Sequence, residues 1–190
     1  AAVVEIGTNH AGEIAAILVE PRVQGAGGML FHDDATLSRL RALADRHDVL
    51  LIFDEIFTGF GRTGDLFACA GAGVMPDIVT LSKALTGGTL PLSAAVASRR
   101  VFEAFWSDDP GAALMHGPTY MANPLACAAA NASLDLFETG TWKSEVARLS
   151  RGLAEGLAPC RAAPGVVDVA LEIDGAAIAD LWLRTVRGEL

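Results

Sequence analysis

Short apolar runs that are rich in branched residues alternate with amphipathic segments along this chain, and that alternation limits the folds open to it. The clearest runs are residues 14–19, 49–53 and 77–81. Between the first two, apolar residues recur at helical spacing after Asp33 and Asp34, either of which can cap a helix. Strands that are joined by crossover helices produce this pattern. The sequence therefore predicts an α/β fold with a mostly parallel sheet.

A link of turn-forming residues joins the run at residues 77–81 to a further predicted strand at residues 92–97. The link contains Thr86, Gly87 and Gly88 and has no room for a crossover helix of about a dozen residues. We therefore expect the strand at residues 92–97 to run antiparallel. The remaining pattern predicts two helices, a strand and a terminal helix, the first three at about residues 124–138, 142–157 and 166–173.

Composition excludes several classes of partner for a chain of 190 residues. The formal net charge of −9 has the wrong sign for binding nucleic acid through counterion release. No stretch approaches the ~18 unbroken apolar residues of a membrane span. The three cysteines, Cys69, Cys127 and Cys160, show neither a disulfide framework nor zinc-ligand spacing. We expect a cytoplasmic protein that acts on small molecules without a metal. Its opening on Ala1 predicts a piece of a longer protein.

Two residues at the ends of neighbouring predicted strands can carry chemistry. Asp54 follows the run at residues 49–53, and Lys83 follows the run at residues 77–81. In an open α/β sheet, ligands bind beyond the carboxyl ends of the strands, so both side chains should reach the same rim. Chemistry on pyridoxal phosphate (PLP) requires such a pair: a lysine that forms an imine with the aldehyde and a carboxylate that keeps the pyridine nitrogen protonated.

Glu55 follows Asp54, but neighbouring residues in a strand point to opposite faces. We assign Asp54 to the ring nitrogen and expect a hydrogen-bonded structural role for Glu55. Ile56 lies on the same side as Asp54 and is placed to press an apolar face on the ring. Because the two carboxylates diverge, a two-carboxylate acid/base site is disfavoured.

Each of these features has an ordinary explanation when it is taken alone. A lysine after a strand is most often a solvated surface residue, and an aspartate there more often caps a helix or forms a turn. The glycine-rich loop at residues 24–28 matches neither GxGxxG nor a P-loop, which also disfavours a Rossmann-like nucleotide binder. His116 is as often a core or turn histidine as a site residue. Only the occurrence of all these motifs together, in this order, favours a functional site over the ordinary explanations.

Six stretches occur in an order that is informative as a set: Val19-Glu20-Pro21, Gln24-Gly25-Ala26-Gly27-Gly28, Asp54-Glu55-Ile56, Thr58-Gly59-Phe60-Gly61-Arg62-Thr63-Gly64, Pro76-Asp77-Ile78 and Ser82-Lys83-Ala84-Leu85-Thr86-Gly87-Gly88. With them the chain resembles the class III PLP-dependent aminotransferases of fold type I, over roughly residues 14–160. The resemblance implies part of the large PLP-binding domain, a mostly parallel sheet with one antiparallel strand and helices on both faces. Residues 1–160 would be the later half of that domain, and residues 161–190 the start of a small domain or a diverged tail.

The resemblance also implies which residues bind the cofactor. Lys83 would be the imine lysine and Asp54 the partner of the pyridine nitrogen. Pro118 and Thr119 would hold the cofactor phosphate of the neighbouring subunit, where a hydroxyl and a backbone N–H near a helix start favour a dianion. The active sites would then form only in a homodimer.

A narrower resemblance lies in residues 116–133, where Pro118 and Met121 discriminate between branches of the family. This stretch resembles the branch that acts in biotin biosynthesis, in which S-adenosylmethionine donates an amino group to 8-amino-7-oxononanoate. Branches that act on ornithine, acetylornithine, GABA or glutamate semialdehyde usually show other residues there. The resemblance implies that three residues act on the substrate. Gly117 would lie against it, Glu20 would pair with a substrate-binding arginine, and Lys83 would be the base.

Two alternatives remain open, because the family's chains are much longer than this one. The chain can belong to another class III aminotransferase that acts on ω-amino acids or diamines. It can also be a truncated fragment of the PLP fold that binds the cofactor or is merely structural, without catalysing a reaction.

Overall fold

The computed structural model describes residues 12–164 and residue 166, and its centre is a four-stranded sheet. The strands are β1 (Ala16–Val19), β2 (Val23–Gln24), β3 (Leu30–Phe31), β4 (Leu50–Asp54), β5 (Ile78–Leu81) and β6 (Ala94–Ala97). The main sheet has the order β1-β4-β5-β6, and β2 and β3 form a separate antiparallel pair. The pairs β1–β4 and β4–β5 are parallel, whereas β5–β6 is antiparallel. The predicted mostly parallel sheet with one antiparallel strand is confirmed.

Within residues 12–164, five α-helices connect and flank these strands. They are α1 (Asp34–His47), α2 (Ala68–Gly71), α3 (Arg99–Glu103), α4 (Pro124–Glu138) and α5 (Trp142–Leu157), with short 3-10 helices at Lys83–Thr86, Pro110–Ala112 and Ala158–Ala162. The bounds of α4 and α5 are those expected from the sequence. In the described part of the chain, no helix has both the length and the apolar character needed to cross a membrane.

Side chains at the helix starts explain where α1 and α4 begin. Asp33, and not Asp34, caps α1, because its carboxylate accepts a hydrogen bond from the backbone N–H of Thr36. The amide oxygen of Asn123 accepts hydrogen bonds from the first turn of α4, and Pro124 occupies the position where a helix tolerates proline. Local chemistry therefore fixes both helix starts.

The buried clusters of the described residues lie on one face of the sheet. Helix α1 packs Leu37 and Ala44 against Leu51 and Phe53, and α4 packs Ala130 near β5 and β6. The register pairs Phe53 with Val79, so both clusters share that face. The opposite face is more open. Leu18 is 65% exposed there, and the layer that the resemblance implies for that side is not formed by these clusters.

Arg22 ties the β2–β3 hairpin to the loop that follows β4. Its guanidinium forms two hydrogen bonds with the carboxylate of Asp34, at 2.8 and 2.9 Å, and one with Asp65 at 3.2 Å. The hydrogen bond from Arg22 holds the pKa of Asp34 below its usual range. A Cβ at Gly71 would collide with the carboxylate of Asp65 and would stand 2.7 Å from Arg22 Nη2. Glycine at position 71 therefore makes the ion pair possible.

The predicted strand at residues 166–173 and the terminal helix fall almost entirely outside the described residues. The division of the chain at residues 160 and 161 stays a prediction. The main strands are shorter than expected at their starts. For example, β5 begins at Ile78 and not at Asp77. The side chain of Asp77 accepts hydrogen bonds from Arg41 and from the backbone N–H of Leu51.

Candidate active site

Asp54 and Lys83 lie at the same end of the main sheet, as the sequence predicts. Asp54 is the last residue of β4 and is paired with Thr80 of the parallel strand β5. Lys83 lies just beyond β5 and begins the 3-10 helix Lys83–Thr86, with a left-handed φ of 49° and an exposed side chain. A carboxylate and an amine therefore meet at the carboxyl edge of two adjacent parallel strands, where α/β sheets bind ligands.

The carboxylate of Asp54 keeps one oxygen available. Oδ1 accepts a hydrogen bond from the backbone N–H of Ile56 at 3.0 Å, whereas Oδ2 accepts none from the residues that the structure describes. The buried hydroxyl of Thr80, the register partner of Asp54, also has no hydrogen-bond partner within that part of the chain. Buried polar groups are normally paired, so this end of the sheet has capacity for a polar ligand. The carboxylate of Asp54 suits a heterocyclic N–H, and the amine of Lys83 suits an aldehyde carbon.

Two cations contact the ring of Phe57 at this edge. The Nζ of Lys83 is 5.1 Å from the centroid of the Phe57 ring, and the guanidinium carbon of Arg62 is 5.3 Å from it. Cations within about 6 Å of an aromatic centroid are attracted to its face. A Cβ at Gly25 would stand 3.3 Å from the same ring. Sequence reasoning missed Phe57. The signal that could have found it is an aromatic residue directly after Asp54-Glu55-Ile56.

Glu20 stabilises the glycine-rich loop in the described chain. Its Oε2 accepts a hydrogen bond from the backbone N–H of Gly25 at 2.9 Å. A side chain at Gly25 would crowd Glu20, because a Cβ there would be 3.3 Å from the same oxygen. The predicted pairing of Glu20 with a substrate-binding arginine stays a prediction.

Glu55 has the structural role expected from strand alternation. Its side chain is completely buried, and its Oε1 accepts a hydrogen bond from the backbone N–H of Cys69 at 2.7 Å. Oε2 accepts hydrogen bonds from the N–H of Ala68 at 2.8 Å and from the hydroxyl of Thr58 at 3.1 Å. Burial, together with the charge of Glu55, raises the pKa of the Cys69 thiol to about 12. Glu55 thus fixes the loop that carries Phe57 and Arg62 to α2.

The loop before α4 lies on the surface, and its predicted site residues are exposed. Gly117, Pro118 and Thr119 are exposed, and a Cβ at Gly117 would meet no atom within 4 Å. The backbone oxygen of Pro118 accepts a hydrogen bond from the N–H of Met121 at 2.9 Å. His116 is exposed as well. Their predicted action on a neighbouring subunit stays a prediction, and so does the ring contact of the half-buried Ile56.

The fold is that of an α/β protein whose similar solved structures are aminotransferases. The family model described as aminotransferase class-III matches residues 2–178. The chain belongs to the class III aminotransferase family.

Three known proteins show how far the similarity reaches. The adenosylmethionine-8-amino-7-oxononanoate aminotransferase of Mycobacterium leprae is 54% identical over 160 residues, which cover 84% of this chain and 36% of that protein. The crystal structure of the enzyme with the same name from Methanocaldococcus jannaschii superimposes with a TM-score of 0.80 at 32% identity, covering 88% of this chain and 38% of that one. A PLP-bound amine transaminase from an uncultivated Pseudomonas species gives a TM-score of 0.74 at 41% identity, with coverages of 82% and 35%. The chain thus spans little more than a third of the length of each of these three proteins.

Proposed function

We propose that this chain is part of a PLP-dependent aminotransferase that converts 8-amino-7-oxononanoate to 7,8-diaminononanoate in biotin biosynthesis, with S-adenosylmethionine as the amino donor. The observation that carries the proposal is the position of Asp54 and Lys83 at the ends of two adjacent parallel strands. The name of the relative from Mycobacterium leprae, at 54% identity, supports the choice of substrates.

PLP, when it is bound, supplies an aldehyde for covalent attachment and a protonated ring that withdraws electrons from the substrate. The residues of this chain provide the groups that such a cofactor needs. Lys83 offers the amine for attachment and afterwards moves the proton at the substrate α-carbon. Asp54 offers Oδ2, which Ile56 leaves unused, to the ring nitrogen. Ile56 offers an apolar side chain next to that carboxylate.

Substrate choice is the test of the proposed reaction. We expect the full-length protein to use 8-amino-7-oxononanoate as acceptor with a kcat/KM about a hundredfold or more above that for reactions with ornithine or GABA. The measurement is steady-state kinetics with each compound, and S-adenosylmethionine and lysine should be compared as donors. A preference for ornithine or GABA would instead favour another class III branch.

A second copy of the chain is the partner that we propose for the loop before α4. Large apolar side chains between residues 102 and 125 are exposed, and Met115 reaches 92% exposure. Exposed apolar surface of this kind marks protein interfaces. The others in this segment are Phe102, Phe105, Trp106, Leu114, Tyr120, Met121 and Leu125. The same segment carries Pro118 and Thr119, so a homodimer would bury the apolar side chains and bring Thr119 to the other active site.

Mixed dimers test this sharing of residues. We expect Lys83→Ala and Thr119→Ala homodimers to be strongly impaired, and random mixing of their subunits to restore about a quarter of the wild-type activity. Half of the mixed population is hybrid, and each hybrid has one site with both residues intact. The measurement is specific activity after dissociation and reassociation of equal amounts. No gain on mixing would place Thr119 in its own subunit's site.

The free state of the cysteines is consistent with a reducing compartment. All three cysteines are free in the structure, with Cys69 buried and the other two partly so. Free thiols persist where the cell keeps cysteines reduced, so we place the protein in the cytoplasm.

A further inference from the structure

Thr80 lies beside Asp54 on the same face of the sheet. The two residues are register partners in the parallel pair β4–β5, and side chains of paired residues leave the same face. The strands are held together at this position, because the backbone N–H of Glu55 donates a hydrogen bond to the backbone oxygen of Thr80 at 3.0 Å. A hydroxyl therefore stands next to the carboxylate at the end of the sheet.

The hydroxyl of Thr80 differs from those of the two threonines that are buried in the described part of the chain. Thr58 donates to Glu55 at 3.1 Å, and Thr86 donates to the backbone oxygen of Leu90 at 2.6 Å. The hydroxyl oxygen of Thr80 is also buried, but it has no partner within the described ranges. Its register partner across the strand pair is Asp54, whose Oδ2 is not used by any described residue. A buried donor without an acceptor and a carboxylate oxygen with spare capacity therefore occupy paired positions on one face of the sheet.

We propose that Thr80 is a positioning residue for Asp54: when the cofactor is bound, the Thr80 hydroxyl turns to donate a hydrogen bond to Oδ2 of Asp54 and so orients that oxygen towards the ring nitrogen. A carboxylate oxygen accepts two hydrogen bonds, so it can serve both donors. The proposal rests on the proposed function, because Asp54 needs orientation only when it has a ring nitrogen to bind. Two contacts, from Ile56 N–H on Oδ1 and from Thr80 on Oδ2, would then fix the plane of the carboxylate.

Two variants of the full-length protein separate the hydroxyl from the shape of the side chain. Thr80→Val keeps the branched shape and removes the donor, whereas Thr80→Ser keeps the donor. We expect Thr80→Val to raise the dissociation constant for PLP about three- to tenfold, and Thr80→Ser to stay within about twofold of wild type. The measurement is equilibrium dialysis with PLP. Both variants should unfold at the wild-type temperature in the absence of PLP.

A spectroscopic measurement distinguishes positioning from a structural role. With PLP labelled with ¹⁵N in its ring, the nitrogen chemical shift reports protonation of the ring, and Asp54→Asn gives the value without the carboxylate. We expect Thr80→Val to move the signal from the wild-type value towards that of Asp54→Asn, and Thr80→Ser to leave it in place. Wild-type values for Thr80→Val in both measurements, or equal losses in Thr80→Val and Thr80→Ser, would overturn the proposal. Failure of the wild-type protein to bind PLP would instead overturn the proposed function itself.

Discussion

Replacement of Lys83 by alanine in the full-length protein should abolish covalent attachment of PLP and lower the transamination rate by about a thousandfold or more. Lys83 is the amine at the carboxyl end of β5, one strand from Asp54, and among the described residues no other lysine lies at a strand end. It would also move the substrate α-proton, so one substitution removes both the nucleophile and the base. The measurements are the absorbance of the bound cofactor and single-turnover kinetics.

The chain contains one further lysine, Lys143, which provides a matched control. Lys143 lies in the first turn of α5 with its Nζ 5.7 Å from the centroid of the Trp142 ring, and no described hydrogen bond or ion pair joins it to Asp54. Lys143→Ala should keep the cofactor absorbance and the rate of the wild-type protein. Full activity in Lys83→Ala, or equal losses in the two variants, would contradict the assignment of Lys83.

The largest effect on stability is expected from Glu55→Ala. The substitution would leave the N–H groups of Ala68 and Cys69 and the hydroxyl of Thr58 buried without an acceptor. Each such group costs free energy when it is buried and unpaired, so we expect a loss of about 3 kcal/mol or more in the free energy of unfolding. Glu55→Gln keeps one acceptor oxygen but turns an amide N–H towards another donor, and should cost about 2 kcal/mol. Denaturant unfolding measures both values.

Local measurements show whether the stability lost in Glu55→Ala is lost at α2. The amide protons of Ala68 and Cys69 should exchange faster with solvent in Glu55→Ala than in the wild-type protein. The Cys69 thiol, whose pKa is raised to about 12 by burial and by Glu55, should resist alkylation at neutral pH in the wild type and react once the loop opens. Glu138→Ala, an exposed change at the end of α4, should stay within about 0.5 kcal/mol. Unchanged exchange at Ala68 in Glu55→Ala would show that Glu55 does not hold α2.

The main sheet and the long helices could be predicted because their signals are local. Branched apolar runs identified β1, β4 and β5, and the pattern at residues 124–138 predicted α4. The β2–β3 hairpin could not be predicted, since strands of two residues are too short to show a period. Helix α3, which has five residues, is likewise too short for a reliable pattern.

The residues of the candidate site also fall into those that could be predicted from sequence and those that could not. Asp54 and Lys83 could be placed from strand ends alone, because parallel strands deliver their carboxyl ends to one edge. Phe57 and Thr80 were missed, since the contact of Phe57 with Lys83 and the absent partner of the Thr80 hydroxyl exist only in three dimensions. A polar residue in the otherwise apolar strand β5 was the available signal for Thr80. Thr119 depends on a second molecule, which one chain does not contain.

Chemical trapping of the cofactor tests the role of Lys83 without relying on turnover. The full-length protein is loaded with PLP, reduced with borohydride so that the covalent link becomes stable, digested and mapped by mass spectrometry. We predict a pyridoxyl phosphate group on the peptide that contains Lys83. Modification at Lys143 or at another lysine, with Lys83 unmodified, would contradict that role.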